Sequence, residues 1–562
     1  MAVENLITEH IDIWTSAVKS KSTSGRGSSK KLELYGVKKL RELILELAVR
    51  GKLVPQDPND EPASVLLERI AAEKAQLVKE QKIKKPKVLS EISNEQKPFD
   101  LPNGWSVARI GNLTNIVYGK GLPNSKLTEE GYTVFGANGV IGKYEIYLYE
   151  KPQLLVSCRG AYSGKPNISP EYCFVTSNSL VLESEWSHLS LMYIYYALSI
   201  ADKSGIVTGS AQPQVTTTNL ETFIIRIPPL NEQHRIVAKV DELMALCDQL
   251  EQQTEDSIEA HQVLVTTLLD TLTNSADADE LMQNWARISE HFDTLFTTEE
   301  SIDQLKQTIL QLAVMGALSQ PLNSDTSIDF HLDNILEQQK QLATAKEYSL
   351  IEAEVLKAKN EISNNRVVLK ARCFCNFITK GTTPSKNELL ETGDVPFLKV
   401  YNIVNNELDF DYRPIFISNE VHTSKLKRSI AHPGDVIMNI VGPPLGKVAV
   451  LSEQYPQWNM NQALAVFKPV SSVFNRYLYY VLSCELTLRS VLSEVKGTAG
   501  QDNLSLEQCR DLLVPIMSIQ EQQRLVCLVD SLWDYCDRLK KRMKSSQKNQ
   551  LHLTDAVTGQ AV

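Results

Sequence analysis

The sequence has no apolar run approaching the ~18–20 residues that cross a bilayer. Its first twenty residues carry Glu4, Glu9 and Asp12 among the apolar ones. A membrane span is excluded, a signal or transit peptide is not expected, and the expected location is cytoplasmic. Cysteine is sparse: nine residues, an odd number, scattered over 562, which is no disulfide framework. Cys373 and Cys375 form a lone C-x-C without a second half-site, whereas zinc needs paired ligand clusters. They read as buried free thiols. Catalytic motifs are missing too. Pro228-Pro229 and Pro443-Pro444 lack the preceding Asn or Asp of an N-P-P-Y motif, and Gly136-Ala-Asn-Gly139 is not G-x-G-x-x-G. Gly442–Lys447 lacks the Walker A spacing and is followed by Val448, not the hydroxyl that magnesium requires. Glu494-Val-Lys496 matches two positions of a nuclease E-x-K, which chance supplies often. A chain this long without a catalytic motif points to binding.

What the chain does have is a duplication, the first thing to seek in a long sequence. Val37–Leu53 and Ile302–Leu318 are identical at eight of seventeen positions, and Glu232–Leu250 and Glu521–Leu539 at ten of nineteen. The offsets are 265 and 289, so segments of unequal length and little shared sequence lie between the matched parts. The repeated parts are helical. Ile236, Val240, Leu243, Cys247 and Leu250 follow a heptad seam, as do Leu525, Val529, Leu532, Cys536, Leu539 and Met543. A helix from about Asn231 to Thr271 would be roughly 60 Å long. Two such seams in one chain are expected to pair as an antiparallel coiled coil. Leu281, Trp285, Ile288, Phe292 and Leu295 form another stripe, with Leu6, Ile7, Ile11, Trp14 and Val18 as a weaker counterpart. Ser20–Ser29, Lys79–Lys97 and Asn364–Lys370 read as linkers.

The net charge of −10 argues against nucleic acid until it is divided. Leu101–Arg226 carries nine basic and nine acidic residues, and Arg366–Leu513 carries sixteen against fourteen. The remaining, helical segments hold −12, the difference between −10 and +2. The two inserts alternate short strand-like runs with Gly-, Asn- and Ser-rich loops, around one helix each (Leu189–Ile200 and Phe474–Cys484). They predict mixed α/β domains. Loops carry contacts in such domains, and Tyr118–Lys126 and Thr379–Lys386 combine glycine, hydroxyls and lysine. Lysine and backbone N–H groups suit phosphate; Asn, Gln and Arg suit base edges. The candidates are Lys120, Asn124, Lys126, Asn138, Arg159, Asn178, Gln212 and Gln214 in the first insert. In the second they are Lys380, Thr382, Thr383, Lys386, Asn402, Lys447, Asn461, Gln462, Gln501 and Asn503. The duplicated Glu232, Gln233 and Arg235, and Glu521, Gln522 and Arg524, are candidates for docking a partner.

The tandem duplication, the Leu101-Pro-Asn-Gly-Trp105 opening, the Ile227-Pro-Pro-Leu-x-Glu-Gln exit into a long helix and the two unlike inserts resemble the specificity subunit of Type I restriction-modification systems. ILELAVRGKLVPQ near the start and KPFDLPNGW resemble the branch with an extended N-terminal region. The second copy departs: Pro515-Ile-Met-Ser-Ile-Gln-Glu-Gln lacks the Pro-Pro, and no Leu-Pro-x-Gly-Trp opens the second insert. The resemblance implies an α+β tandem pseudo-repeat: a helical region 1–100, a target-recognition domain 101–230, a helical spacer 231–365, a second target-recognition domain 366–518 and a helical end 519–562. It implies a non-catalytic subunit that reads a bipartite asymmetric site on double-stranded DNA and docks two methyltransferase subunits and the restriction/translocase subunits. S-adenosylmethionine, ATP and Mg²⁺ would belong to those partners, with no cofactor in this chain and no membrane. The alternative from another class is a coiled-coil scaffold that does not bind DNA.

Overall fold

The computed structural model describes residues 7–21, 31–96, 101–184, 187–209, 212–442, 445–492 and 503–561. Two compact units emerge. One is built from residues 7–21, 31–256 and 547 onward, the other from 257–546.

In the first unit the apolar repeat Val37, Leu40, Leu43, Ile44, Leu47 and Ala48 buries one face of helix α1 (Tyr35–Val49). The chain turns out of it at Gly51, whose φ of 71° an L side chain rarely adopts. The insert opens with β1 (Ser106–Arg109) and continues through β2 (Asn115–Tyr118), β3 (Tyr132–Phe135), β4 (Val140–Tyr144), β5 (Leu154–Ser157), β6 (Pro166–Ile168), β7 (Cys173–Val175) and β8 (Ser179–Glu183). Helix α2 (Leu191–Ile200) and β9 (Ile224–Ile227) close it. The strands form an antiparallel sheet in the order β2-β8-β5-β6, a second sheet β4-β3-β7 in which β3 and β7 are parallel, and the pair β9-β1. The central strands β5 and β8 bury both faces, as unbroken Leu/Val runs require. Helix α3 (Leu230–Thr273) follows.

In the second unit α4 (Glu299–Val314) repeats α1, and Gly316 repeats Gly51 with φ 80°. A helical hairpin, α5 (Ile328–Leu342) and α6 (Ala345–Lys359), precedes the insert; its tight turn is held by a capping box between Thr344 and Glu347. The insert contains β10 (Val367–Lys370), β11 (Cys375–Lys380), β12 (Val395–Leu398), β13 (Phe416–Ile417), β14 (Val436–Asn439), β15 (Val448–Val450), β16 (Asn459–Met460) and β17 (Leu464–Pro469). Helix α7 (Asn475–Ser483), β18 (Leu513–Ile516) and α8 (Ile519–Ala561) complete it. Its sheets run β11-β17-β14-β15 and β13-β12-β16, with β12 and β16 parallel, and β10 pairs β18. These sheets repeat the strand order of the first insert, although the two share little sequence; the second insert adds a small hairpin in which Ile403–Val404 pairs with Glu407–Leu408.

The seams are buried as their spacing demands. Ile236, Val240, Leu243 and Cys247 on α3, and Leu525, Val529 and Cys536 on α8, are at most 2% exposed. The later part of α3 (Val265, Leu269, Leu272) and the first part of α8 enter one core with α4. Side-chain partners of the first seam helix lie on α1, where Arg41 pairs with Asp248 and Glu251. The Leu281–Leu295 stripe is only partly interior: Ile288 is buried, while Trp285 is 39% exposed. Asn364–Lys370 is not a linker, because Val367–Lys370 pairs with β18. The linker expected at Ser20–Ser29 falls mostly outside the described residues. Cys373 and Cys375 are buried and free, and burial pushes the Cys375 thiol well above its usual value. Among the described residues no group of His, Cys, Asp and Glu is arranged to hold a metal ion, and no helix is long and apolar enough to cross a membrane.

Candidate nucleic-acid interface

Each long helix is fastened to its own insert at its first turn. Glu232 is buried; its carboxylate accepts from Trp105 Nε1 at 3.0 Å and Gln56 Nε2 at 3.2 Å. Burial pushes that carboxyl above its ordinary range. Gly51 is the turn over which Trp105 packs, and a Cβ there would lie 2.6 Å from Pro102 and 3.0 Å from the indole. In the second copy Glu521, also buried, accepts from Arg366 Nε at 3.1 Å and Ser319 Oγ at 2.9 Å. A Cβ on Gly316 would land on the Arg366 guanidinium.

Gln233 accepts from Ser190 N (2.9 Å), at the start of α2, and donates to Pro228 O (3.0 Å). Gln522 accepts from Phe474 N (2.8 Å), at the start of α7, and donates to Met517 O (2.9 Å). Arg235 binds Asp60 at 2.7 Å and Arg524 binds Asp325 at 2.6 Å; these hydrogen bonds hold both carboxyls below the usual carboxylate range. Partner docking through Glu232, Gln233, Glu521 and Gln522 is therefore corrected. All four are at most 1% exposed and used internally. Arg235 and Arg524 remain partly exposed, within ion pairs.

At one end of each four-stranded sheet the strand-end loops converge, and their backbones match bond for bond. Gly119 N donates to Ser179 O and Gly381 N to Leu464 O. Lys120 N donates to Val175 O and Thr382 N to Met460 O. Cys158 N donates to Asn178 O and Ile440 N to Ala463 O, and Val215 N to Cys158 O and Leu504 N to Ile440 O. The glycines permit the close approach: a Cβ would sit 2.3 Å from Thr176 O at Gly119 and 2.1 Å from Met460 O at Gly381. These bonds put Lys120 opposite Thr382 in the comparison, Thr176 opposite Asn461, Ser177 opposite Gln462 and Asn178 opposite Ala463. Arg159 and Gln214, joined by an isolated bridge, correspond to Val441 and Asn503, joined by another.

In the first insert Lys120, Asn138, Arg159, Asn178, Gln212 and Gln214 are exposed around these loops. The Asn138 turn is anchored by Ser179 Oγ, which donates to Gly136 O at 2.8 Å, and by Ser157 Oγ on Ala137 O. Asn124 and Lys126 are exposed on a short 3-10 turn beyond them. In the second insert Lys380, Thr382, Thr383, Lys386, Gln462 and Asn503 are exposed, and the side chains of Thr383 and Gln462 bond each other. Asn461 is half-buried and accepts from Ala463 N at 3.3 Å; Lys447 is half-buried with Nζ 3.4 Å from Ile403 O. Asn402 is a correction. It is 1% exposed, donates to Asp409 O and Tyr412 O and accepts from Lys399 N, so it holds a turn and reaches no ligand. Gln501 lies outside the described residues. Thr176, Ser177 and Val441 were not singled out from sequence, because only the pairing register brings them to these loops.

Two copies of one sheet plan, each presenting polar and basic loops at its strand ends, define a tandem binding protein whose two sites share a backbone and differ in side chains. The chain belongs to the Type I restriction modification DNA specificity family, whose domain it matches over residues 102–260 and 373–547. It is 37% identical over 600 residues, covering all of both chains, to the Escherichia coli "Type I restriction enzyme EcoAI specificity subunit". It is 37% identical over 617 residues to the EcoEI specificity subunit of the same organism, again over all of both. A crystal structure of the HsdS subunit from Thermoanaerobacter tengcongensis aligns at 15% identity and TM-score 0.37, covering 83% of this chain and 98% of that one, too distant to add to the assignment. The chain is thus a Type I specificity subunit, non-catalytic and DNA-directed, as the sequence resemblance implied.

Proposed function

We propose that each insert reads one half of a bipartite, asymmetric site on double-stranded DNA through its converged loops. Lys120, Lys126, Lys380 and Lys386 meet phosphates there, and Arg159, Asn178, Gln214, Gln462 and Asn503 face base edges. The carrying observation is the matched loop backbone with unmatched side chains: the same placement offered to two different sequences. The layout is five segments, with helical regions 1–100, 231–365 and 519–562 flanking readers 101–230 and 366–518. The helical regions recruit two methyltransferase subunits and, through the assembled enzyme, the restriction/translocase subunits, in the cytoplasm. S-adenosylmethionine, ATP and Mg²⁺ belong to those subunits.

With the Glu-Gln pairs occupied internally, docking falls to exposed apolar residues of the long helices. Leu528 (39% exposed) and Tyr535 (47%), seven residues apart, form one stripe on α8. The test is selection from random duplex DNA by the complex with its methyltransferase subunits. Two enriched half-sites separated by an unspecified spacer are expected. Enrichment of no sequence at any salt would mean a scaffold without DNA reading.

A further inference from the structure

We propose that the two bridge pairs are the corresponding base-reading elements of the two domains, and that they call for different base pairs. Arg159 with Gln214 requires a G·C pair with an A·T neighbour, whereas Val441 with Asn503 requires A·T alone. This rests on the DNA reading above and adds the base identities.

Residues directly opposite in an antiparallel bridge project to the same face with Cβ atoms roughly 5 Å apart. Each pair therefore sets its two side chains on one side of the backbone, close enough to address one base pair or two adjacent ones; Arg159, Gln214 and Asn503 stand exposed, while Val441 is half-buried, part of it packed against the core of the second unit. The backbones beneath are held alike: Val215 N on Cys158 O behind the first pair, Leu504 N on Ile440 O behind the second. The first loop is tied once more by Gly160 N to Pro213 O, with Gly160 at φ 84°. Arg159, Gln214 and Asn503 are exposed, and among the described residues none of their side chains makes a hydrogen bond or ion pair. Unlike Asn402, they are not spent on the fold.

Their chemistry differs in kind. The guanidinium fork matches guanine O6 and N7, and the Gln and Asn amides match adenine N6 and N7. Valine has no hydrogen-bonding group and suits the thymine methyl. At the position where the first domain offers a fork, the second offers a methyl contact and an amide. A valine supplies no donor to guanine O6 and N7, so the bidentate contact that the Arg159 fork offers has no counterpart at that position of the second domain.

The experiment is selection from random duplex DNA by the intact complex with its methyltransferase subunits, comparing wild type with exchanged columns. In wild type, one half-site should contain a required G·C and the other, at its corresponding position, a required A·T. Arg159→Val combined with Gln214→Asn should lower the preference for G·C about 5- to 150-fold and favour A·T at that position. The other half-site should stay unchanged, which shows that the complex is folded. Val441→Arg with Asn503→Gln should do the converse. Arg159→Lys keeps the charge without the fork; it should retain binding while relaxing the same position. A bipartite motif that neither exchange alters overturns the bridge-pair assignment and leaves the DNA reading standing. A wild-type complex that enriches no motif overturns both.

Discussion

Replacing Arg366 by leucine isolates what holds the second reader to its long helix. Arg366 donates to Glu521 Oε1, to Gly316 O at 2.8 Å and to Ser319 O at 2.6 Å. Glu521 is 0% exposed, and its other carboxylate oxygen has no partner among the described residues. The variant therefore leaves a buried charge with no opposite charge beside it and only the Ser319 hydroxyl as donor, a loss of about 3–5 kcal/mol. The lower figure alone multiplies the open population about 150-fold. The readout is hydrogen exchange of the amides in Val367–Lys370 and Leu513–Ile516, the two-stranded sheet beside the clamp. It should quicken by at least two orders of magnitude there, while Ser106–Arg109 in the other unit is unaffected. Adding Glu521→Gln removes the orphaned charge and should restore at least half of the loss. The first copy calibrates the argument. Trp105→Phe removes one hydrogen bond to a carboxylate that keeps Gln56, so a smaller loss, about 1.5–3 kcal/mol, is expected at Ser106–Arg109. An Arg366→Leu change under five-fold, or a double variant no better than the single, would refute the reasoning.

Glu232 makes stability pH-dependent. Burial raises its folded pKa above the unfolded value of about 4.3, so its contribution is full below that value and is lost as pH rises through the folded pKa. Thermal melts should show wild type gaining on Glu232→Gln as pH falls through the folded pKa to the unfolded value of about 4.3; a pH-independent difference down to that value would contradict this. Lys120→Ala should weaken DNA binding and lower the slope of log affinity against log salt by about one unit, and an unchanged slope would remove Lys120 from the phosphate contacts. Gly119→Ala forces a methyl onto Thr176 O and should abolish reading of the first half-site only, measured by the same selection. Leu528→Arg with Tyr535→Arg should lower the number of methyltransferase subunits retained in native mass spectrometry; full retention would move docking off that stripe.

Local periodicity carried much of this fold. The helix expected over about Asn231–Thr271 is Leu230–Thr273, and the one at Phe474–Cys484 is Asn475–Ser483. The strands β3 and β12 fall on β-rich runs, Tyr132–Phe135 and Val395–Leu398. Non-local pairing was not visible. The expected loops Tyr118–Lys126 and Thr379–Lys386 begin inside strands Asn115–Tyr118 and Cys375–Lys380, onto which β8 and β17 zip. The alternating run Tyr144, Ile146, Leu148 is not the pairing strand: Val140–Tyr144 pairs with β3, with a register shift between Val134 and Phe135. Arg159, Gln214, Lys120 and Asn503, picked out for their residue types, are exposed at the converged loops. At Asn402 and at the Glu-Gln pairs the same types are consumed by capping and turn bonds, which a sequence does not distinguish from exposure.

The two copies show which features duplication had to keep. The acceptor Glu232 recurs as Glu521, and the left-handed glycine Gly51 as Gly316, but the donor filling the space over that glycine is an indole in one copy and a guanidinium in the other. The constraint acts on the acceptor and on the room above the turn, not on the donor. The reader loops follow the same rule: Gly119 and Gly381 are both glycine because backbone crowds both, while the exposed neighbours Lys120 and Thr382, or Gln214 and Asn503, are free to differ. A residue identical in the two copies is one the chain uses to hold itself. A residue that differs at a matched, exposed position is one it presents outward, and that is where a change of DNA sequence should be sought.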